Sequence, residues 1–466
     1  VNLWATFRRL IGRAYLPEAG QMYDSLRWPA VPSSPNPTPQ NDVISRSRAE
    51  AEIRNSALAR RVVSAWSSAL TGGSGFTPMF SDPELRRRWD SWSTGCDAAG
   101  RLDWVGVLLQ VCECVITSGE AFVLLQVSED VPEVPLALQV LGPEWLDVSK
   151  MNSTDTVAGI VFDGVRRAGY WIFKRHPAIS GTTLDSVLVP ASDCLHIYKA
   201  NRPTEQRGSS WFEPVLYSLR LLKEFLEADL QRQKTSALVA GFIVSPDGSA
   251  QPFPTTPQGQ LALEPATLTQ LPVGTTVEFS NPTDHGIAFA PFTQCIIRQI
   301  AAGMNMPYET LSTDIGQTTF ASGRLAILEW RRQIEAIQYG VLIPQLCQPI
   351  LNRWLELASA LGIAEAVETP RWACPTVEAL DRSAEIQSTM LAIRAGLQTR
   401  REAVESAGWN IEGIDAELAA DQSRARGLGL TLDVDPDMTH QGQKQPASQG
   451  QPASQKEQLD NETALA

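Results

Sequence analysis

The chain has 466 residues, 43% of them hydrophobic, and its 52 acidic against 39 basic side chains give a net charge of −13. That length exceeds what one hydrophobic core serves, so several subdomains are expected. The acidity excludes a coat that grips nucleic acid through its phosphates, which needs Lys and Arg in excess, and leaves only local or weak contact with DNA. No apolar run is long enough to span a bilayer. The basic, amphipathic stretch from Val1 to Tyr15 lacks the layout of a signal peptide and reads as a packing helix sooner than a membrane-surface one. Seven scattered cysteines suit a reduced compartment. Cys112 and Cys114 fall two apart on a predicted helix, so they point about 200° apart and read as buried thiols, not as a zinc clamp.

Residues Ala30 to Asn41 hold four prolines and predict an extended arm. From Ser45 to Leu70 the pattern is helical, and the glycines after Thr71 end it. No GxxxxGK[ST] loop occurs, so those glycines are not read as a phosphate cradle. Helices at Asp82 to Ser93 and Trp104 to Thr117 lead into strands at Ala121 to Val127, Leu136 to Val140, Gly159 to Asp163, Gly169 to Lys174 and Cys194 to Tyr198, an α+β domain. His196 is read as a core histidine in its strand. Ser210 and Glu213 have capping-box spacing and predict the start of a long helix reaching about Ala240, with Val215, Leu219, Leu222 and Leu226 on one stripe. Residues 245–272 are proline-rich without periodicity, Val273 to Phe279 resembles a strand, and Phe292 to Met304 is helical with Arg298 off its apolar line. Two helices flanking an irregular insertion predict an αα-hairpin with a decorated tip. A polar run from Thr310 to Gly323 then reads as a loop between rods. The next helix carries Ile327, Trp330, Ile334, Ile337 and Val341 on one face, with a kink expected at Pro344 and Pro349. The chain beyond Ala358 reads as helical to about Leu428, and from Thr431 the QPASQ repeats predict a disordered tail.

Certain motifs recur in a telling order: Asn55-Ser56-Ala57, Gly73-Ser74-Gly75-Phe76, Ser118-Gly119-Glu120-Ala121-Phe122, Arg207-Gly208-Ser209-Ser210-Trp211-Phe212, Met306-Pro307-Tyr308-Glu309, and Ser322-x-Arg324-x-Ala326 with Glu329. This ordered set resembles the lambda-type portal proteins of tailed bacteriophages, from about Arg54 to about Leu428. The resemblance implies an α+β portal fold. It assigns 1–45 to an N-terminal helix and arm, 46–208 to the wing, 209–240 and 291–306 to stem helices and 241–290 to the clip. Residues 307–323 become a tunnel loop region, 324–358 a long kinked wing helix, 359–430 a helical crown and 431–466 a tail.

It further implies a homo-oligomeric ring, usually a dodecamer, at one capsid vertex of the virion, assembled in the host cytoplasm. Double-stranded DNA passes through it during packaging and ejection. The implied partners are the terminase large subunit, the major capsid protein and head-completion or adaptor proteins; no cofactor, metal or catalytic residue is implied. The expected DNA-channel loop carries Asp314, Gln317, Thr318, Thr319 and Ser322. Arg298, Arg232 and Lys234 are expected at stem or ring contacts, and Asp247, Glu278, Asp284 and His285 on the clip docking surface. Two other classes compete. A hydrolase built on Asp193, His196 and one of the many serines lacks a GxSxG elbow, an HExxH motif or paired carboxylates. An adaptor or minor capsid protein without a channel would not need long paired helices around an insertion.

Overall fold

The computed structural model describes residues 39–152, 155–178, 185–203, 205–237, 241–244, 276–279, 286–316, 318–363, 370–375, 382–406 and 411–430. The expected first helix, most of the clip and the expected disordered tail lie outside the described residues. The chain divides into two compact units, with the boundary after Gln398.

Helix α1 (Pro39–Asn55) already begins inside the expected arm, because a proline is tolerated in the first turn, where its missing N–H would have no partner. The single helical stretch expected from Ser45 is two helices. Ser56 adopts extended backbone angles (φ −119°, ψ 123°) and its hydroxyl accepts from Ala59 N–H, starting α2 (Ala57–Thr71). Gly72, at φ 55°, ends α2 as expected. Strand β1 (Thr77–Met79), α3 (Pro83–Ser93, capped by Asp82) and α4 (Trp104–Ser118, capped by Asp103) follow.

Strand β2 (Glu120–Val127) lies between β3 (Leu136–Leu141) and β8 (Cys194–Tyr198) in an antiparallel sheet. A second antiparallel sheet orders β4 (Thr156–Val157), β5 (Ile160–Asp163), β6 (Arg166–Phe173) and β7 (Ser186–Pro190). Tryptophans fill the core between the helices and the first sheet. The Trp89 ring centroid lies 4.7 Å from that of Trp92, 5.9 Å from Trp104 and 5.5 Å from Trp354. Two of the indole N–H groups find backbone carbonyls, Trp92 donating to Leu136 and Trp104 to Phe76, each at 2.9 Å, whereas that of Trp354 is buried without a hydrogen-bond partner. Burying such rings contributes roughly 1.5–3 kcal/mol each, provided the N–H is satisfied.

The capping box expected at Ser210 does not form. The Ser210 hydroxyl instead donates 2.6 Å to Thr117 O, and Glu213 accepts from Ser45. Pro214 disfavours helical angles at the residue before it, so α5 (Leu216–Ala237) starts later. Helix α5 pairs with α6 (Gly286–Gly303), through Phe225, whose ring is 5.7 Å from Phe289 and 5.0 Å from Phe292. Between them, β9 (Gly241–Val244) and β10 (Thr276–Phe279) pair antiparallel. This is the expected two-helix hairpin with an insertion.

Helix α7 (Tyr308–Ser312) leads through a turn to α8 (Phe320–Ile337). Trp330, Ile334 and Ile337 are buried on the expected face, and the Trp330 ring meets Trp66 edge-on at 5.5 Å. The expected kink takes a specific form: Gln338–Cys347 is a π-helical stretch containing Pro344, which leads directly into α9 (Gln348–Ala360). Widening the helix is one way to accommodate a residue without an N–H. Buried Gln338 fastens the stretch, donating 2.9 Å to Leu70 O and 3.0 Å to Pro375 O. The chain after Ala358 is not wholly helical, because β11 (Arg371–Ala373) returns to pair with β1. Helix α10 (Arg382–Arg394) completes the first unit. The second holds most of α11 (Arg400–Ser406) and α12 (Ile411–Gly427), joined by Arg400 to Asp415 at 2.5 Å and Arg401 to Glu412 at 2.6 Å.

Candidate functional site

Two of the ordered motifs meet in space. Gly119 ends α4 in the left-handed region at φ 89°, and a Cβ there would stand 2.3 Å from Ser209 C. A Cβ on Gly208 would stand 2.2 Å from Gly119 O. Only glycine at both positions allows this approach, and it brings Arg207 onto Glu120. Glu120 is fully buried. Arg207 Nε donates to both carboxylate oxygens at 2.7 and 2.9 Å, its Nη2 donates to Oε1, and Gly208 N–H donates 3.0 Å to Oε2. Arg46 of α1 reaches the same carboxylate at 3.0 Å and Gly208 O at 3.2 Å. Burial pushes the Glu120 carboxyl up, but the Arg207 and Arg46 guanidiniums and the His196 bond outweigh it and hold it well below the usual carboxylate range.

His196 Nε2 lies 2.9 Å from Glu120 Oε2, with the ring stacked between Phe122 and Tyr198 at centroid distances of 4.4 and 4.7 Å. Burial lowers its pKa to about 4 against the pull of Glu120. The imidazole is therefore neutral at neutral pH and donates from Nε2. Asp193 faces Arg353 instead, at 3.7 Å, so the two residues of the hydrolase reading do not form a pair. No group of three or more His, Cys, Asp or Glu among the described residues could hold a metal. Glu120, Arg207 and Arg46 were absent from the expected site residues, although an acid opening an apolar strand and an Arg-Gly pair are visible signals.

Of the expected loop residues, four are brought together in one turn and Gln317 lies outside the described residues. Thr313, at φ 58°, closes α7. Asp314 accepts from Gly316 N–H at 3.2 Å and from the Tyr308 hydroxyl at 3.4 Å, and the Thr318 hydroxyl donates 3.1 Å to Glu309. Thr319 and Ser322 form a reciprocal capping box: Ser322 N–H donates 3.3 Å to the Thr319 hydroxyl and Thr319 N–H donates 3.1 Å to the Ser322 hydroxyl. These hydroxyls set the turn's shape. Its outward side chains are Ile315, 74% exposed, and Phe320, 61% exposed. Two arginines hold α7 from outside the turn. Arg61 Nε donates 3.0 Å to Thr310 O, and the Arg298 guanidinium lies 5.1 Å from the Tyr308 ring centroid.

The remaining expected residues are dispersed. Arg232 donates 2.8 Å to Asp229 on its own helix, and Lys234 is exposed in the last turn of α5. Glu278 sits in β10 opposite Phe242. Asp247, Asp284 and His285 lie outside the described residues. No helix among the described residues is long and apolar enough to cross a membrane.

Residues 24–338 match the family described as phage portal protein, lambda family. The chain is 22% identical over 423 residues to a probable portal protein of Halomonas phage phiHAP-1, covering 83% of this chain and 81% of that one. It is also 22% identical over 272 residues to portal protein B of Escherichia phage lambda, covering 51% of each. Among solved structures, a chain from the neck of a native gene transfer agent particle, computed with C12 symmetry, shares the fold at TM-score 0.50 and 15% identity, over 81% of this chain and 96% of that one. With the family matched across most of its length, the chain belongs to the lambda family of phage portal proteins.

Proposed function

We propose that copies of this chain close into a ring at one vertex of the virion capsid, of about twelve subunits as in the C12 neck it resembles, around a channel that carries double-stranded DNA in during packaging and out during ejection. Assembly takes place in the host cytoplasm. The terminase large subunit, and later head-completion or adaptor proteins, dock on the insertion between α5 and α6, and the major capsid protein surrounds the wing. The observation that carries this reading is the α5–α6 pair with its insertion entered through β9 and left through β10. An adaptor or minor capsid protein without a channel has no need of such a rod and tip.

The turn from Asp314 to Ser322 is the channel loop in this reading. Because the Thr318, Thr319 and Ser322 hydroxyls are occupied in the turn, Gln317 is its group for touching phosphate, a neutral side chain with no strong charge attraction. The acidity of the chain, multiplied around a ring, keeps DNA from being trapped. Virions assembled with Gln317→Ala are expected to package shorter DNA or retain it less well, while rings form normally. Unchanged DNA length and retention would remove the loop from contact with DNA.

A further inference from the structure

Helix α1 packs against α2, α4 and α5, yet it brings little apolar surface to them. Among its described side chains the fully buried ones are Ser45, Arg46 and Ala49, with Ile53 half-buried, while Val43 and Ile44 face outward. Its hold is polar: Arg46 on Glu120 and Gly208 O, and Ser45 Oγ donating 3.2 Å to Glu213. Withdrawing Arg46 would not strand the buried carboxylate, because Glu120 keeps the bonds from Arg207, Gly208 N–H and His196. What is costly in a buried ion pair is an uncompensated charge, and none would be left. Docking also carries a cost of its own, since Glu52 Oε2 is buried without a hydrogen-bond partner among the described residues.

The joint between α1 and α2 is a single residue. Ser56 is extended, but the helical ladder runs up to it and away from it: Ser56 N–H donates 2.7 Å to Glu52 O, and Arg60 N–H donates 3.0 Å to Ser56 O. Turning that one residue to helical angles would exchange its cap on Ala59 N–H for the ladder bond from Ala59 N–H to Asn55 O. The periodicity of the sequence runs through Ser56 without interruption, so the straight form is the one local preference favours. We infer that α1 is a latched strap: when Arg46 leaves Glu120, Ser56 becomes helical and α1 swings out as a straight extension of α2, while the rest of the first unit stays folded. The straight helix from Pro39 to Thr71 is roughly 50 Å long at 1.5 Å per residue, and its swing carries with it the chain that precedes Pro39. It bares Cys114 of α4, which lies beside Arg46 and Glu50 of α1 and donates 3.3 Å to Glu120 O. Burial holds that thiol up at about 12, protonated and unreactive at neutral pH. The strap does not depend on the ring proposed above.

The test is the rate at which N-ethylmaleimide labels each thiol of the purified full chain under native conditions, read by peptide mass mapping. Arg46→Met is expected to speed labelling of Cys114 about tenfold, while Cys112, buried two residues away on the core side of α4, stays unlabelled. Ser56→Ala, which removes the cap needed only by the bent form, is expected to speed it about fivefold. Ser56→Gly is expected to stay close to wild type, because glycine caps nearly as well as serine and disfavours the straight helix. The Ser56 variants leave the Glu120 cluster intact and carry the test even if Arg46→Met does not fold. Cys114 labelling unchanged in Arg46→Met and Ser56→Ala would overturn the strap. Cys112 and Cys114 rising together would overturn it as well, since α1 would then open only with the whole unit. Equal rates in Ser56→Ala and Ser56→Gly would overturn the straightening, because an α1 that simply comes away leaves Ser56 capping α2 in both states.

Discussion

Glu120 is a full charge in a place without water, and the physical consequence is a pH dependence with a definite sign. Unfolded, His196 titrates near 6.5, and in the folded chain near 4. Between those values the unfolded chain binds more protons, so stability falls as the pH drops through that window, by about 3 kcal/mol for this group. Glu120 has its pKa depressed by folding, so its contribution is present above the ordinary carboxylate value of 4.5 and is lost as the pH falls toward its folded value. Urea midpoints measured from pH 8 to pH 4 are expected to fall most steeply below 6.5. His196→Gln, which keeps a donor for Glu120 without titrating, is expected to flatten the part between 6.5 and 5; an unchanged slope would contradict the assignment. His196 as a core residue was legible in the sequence from its place in an apolar strand. Its partner Glu120 was not, because it lies 76 residues from His196 and 87 from Arg207, and only the fold brings these motifs together.

At the scale of the element, the turn before α8 shows how a polar run acquires its shape. Thr319→Ala removes the capping box and is expected to cost about 1 kcal/mol, with Thr319→Ser close to neutral. Amide exchange in the first turn of α8 is expected to rise about fivefold in the alanine variant, while the buried end near Trp330 stays protected; equal rates in the two variants would contradict the cap. This turn, the paired helices α5 and α6, and the apolar faces of α4 and α8 were legible because their signals are local: a cap, a period, a run of prolines. The errors have equally physical causes. Ser210 and Glu213 match a capping box, but Pro214 and the pull of Thr117 O send the serine elsewhere. Ser56 interrupts a periodic stretch without breaking its period. Strands β1 and β11 are three residues each and pair across nearly the whole first unit, so neither is long enough to carry a pattern of its own. Pro344 announced an irregularity, but the π-helical stretch that absorbs it depends on the carbonyls that receive Gln338.

At the scale of the whole molecule, a chain of net charge −13 with exposed apolar side chains on several helices suits the proposed ring, whose subunits would not grip DNA through its phosphates. Repetition around a ring makes weak neutral contacts sufficient and strong cationic ones a hindrance to movement. The family was legible because its motifs lie in order along the chain, although no single one is specific. The proposed ring came only with that resemblance, since the sequence of one subunit carries no mark of the rotation that relates it to the next. The central claim is therefore best tested by the mass and symmetry of the purified chain, from mass photometry followed by averaged electron micrographs over a range of protein and salt concentrations. The expected result is a closed ring of about twelve copies, as in the C12 neck, with an open central channel. A chain that remains monomeric under all of these conditions, or closes into a particle without a channel, would contradict it.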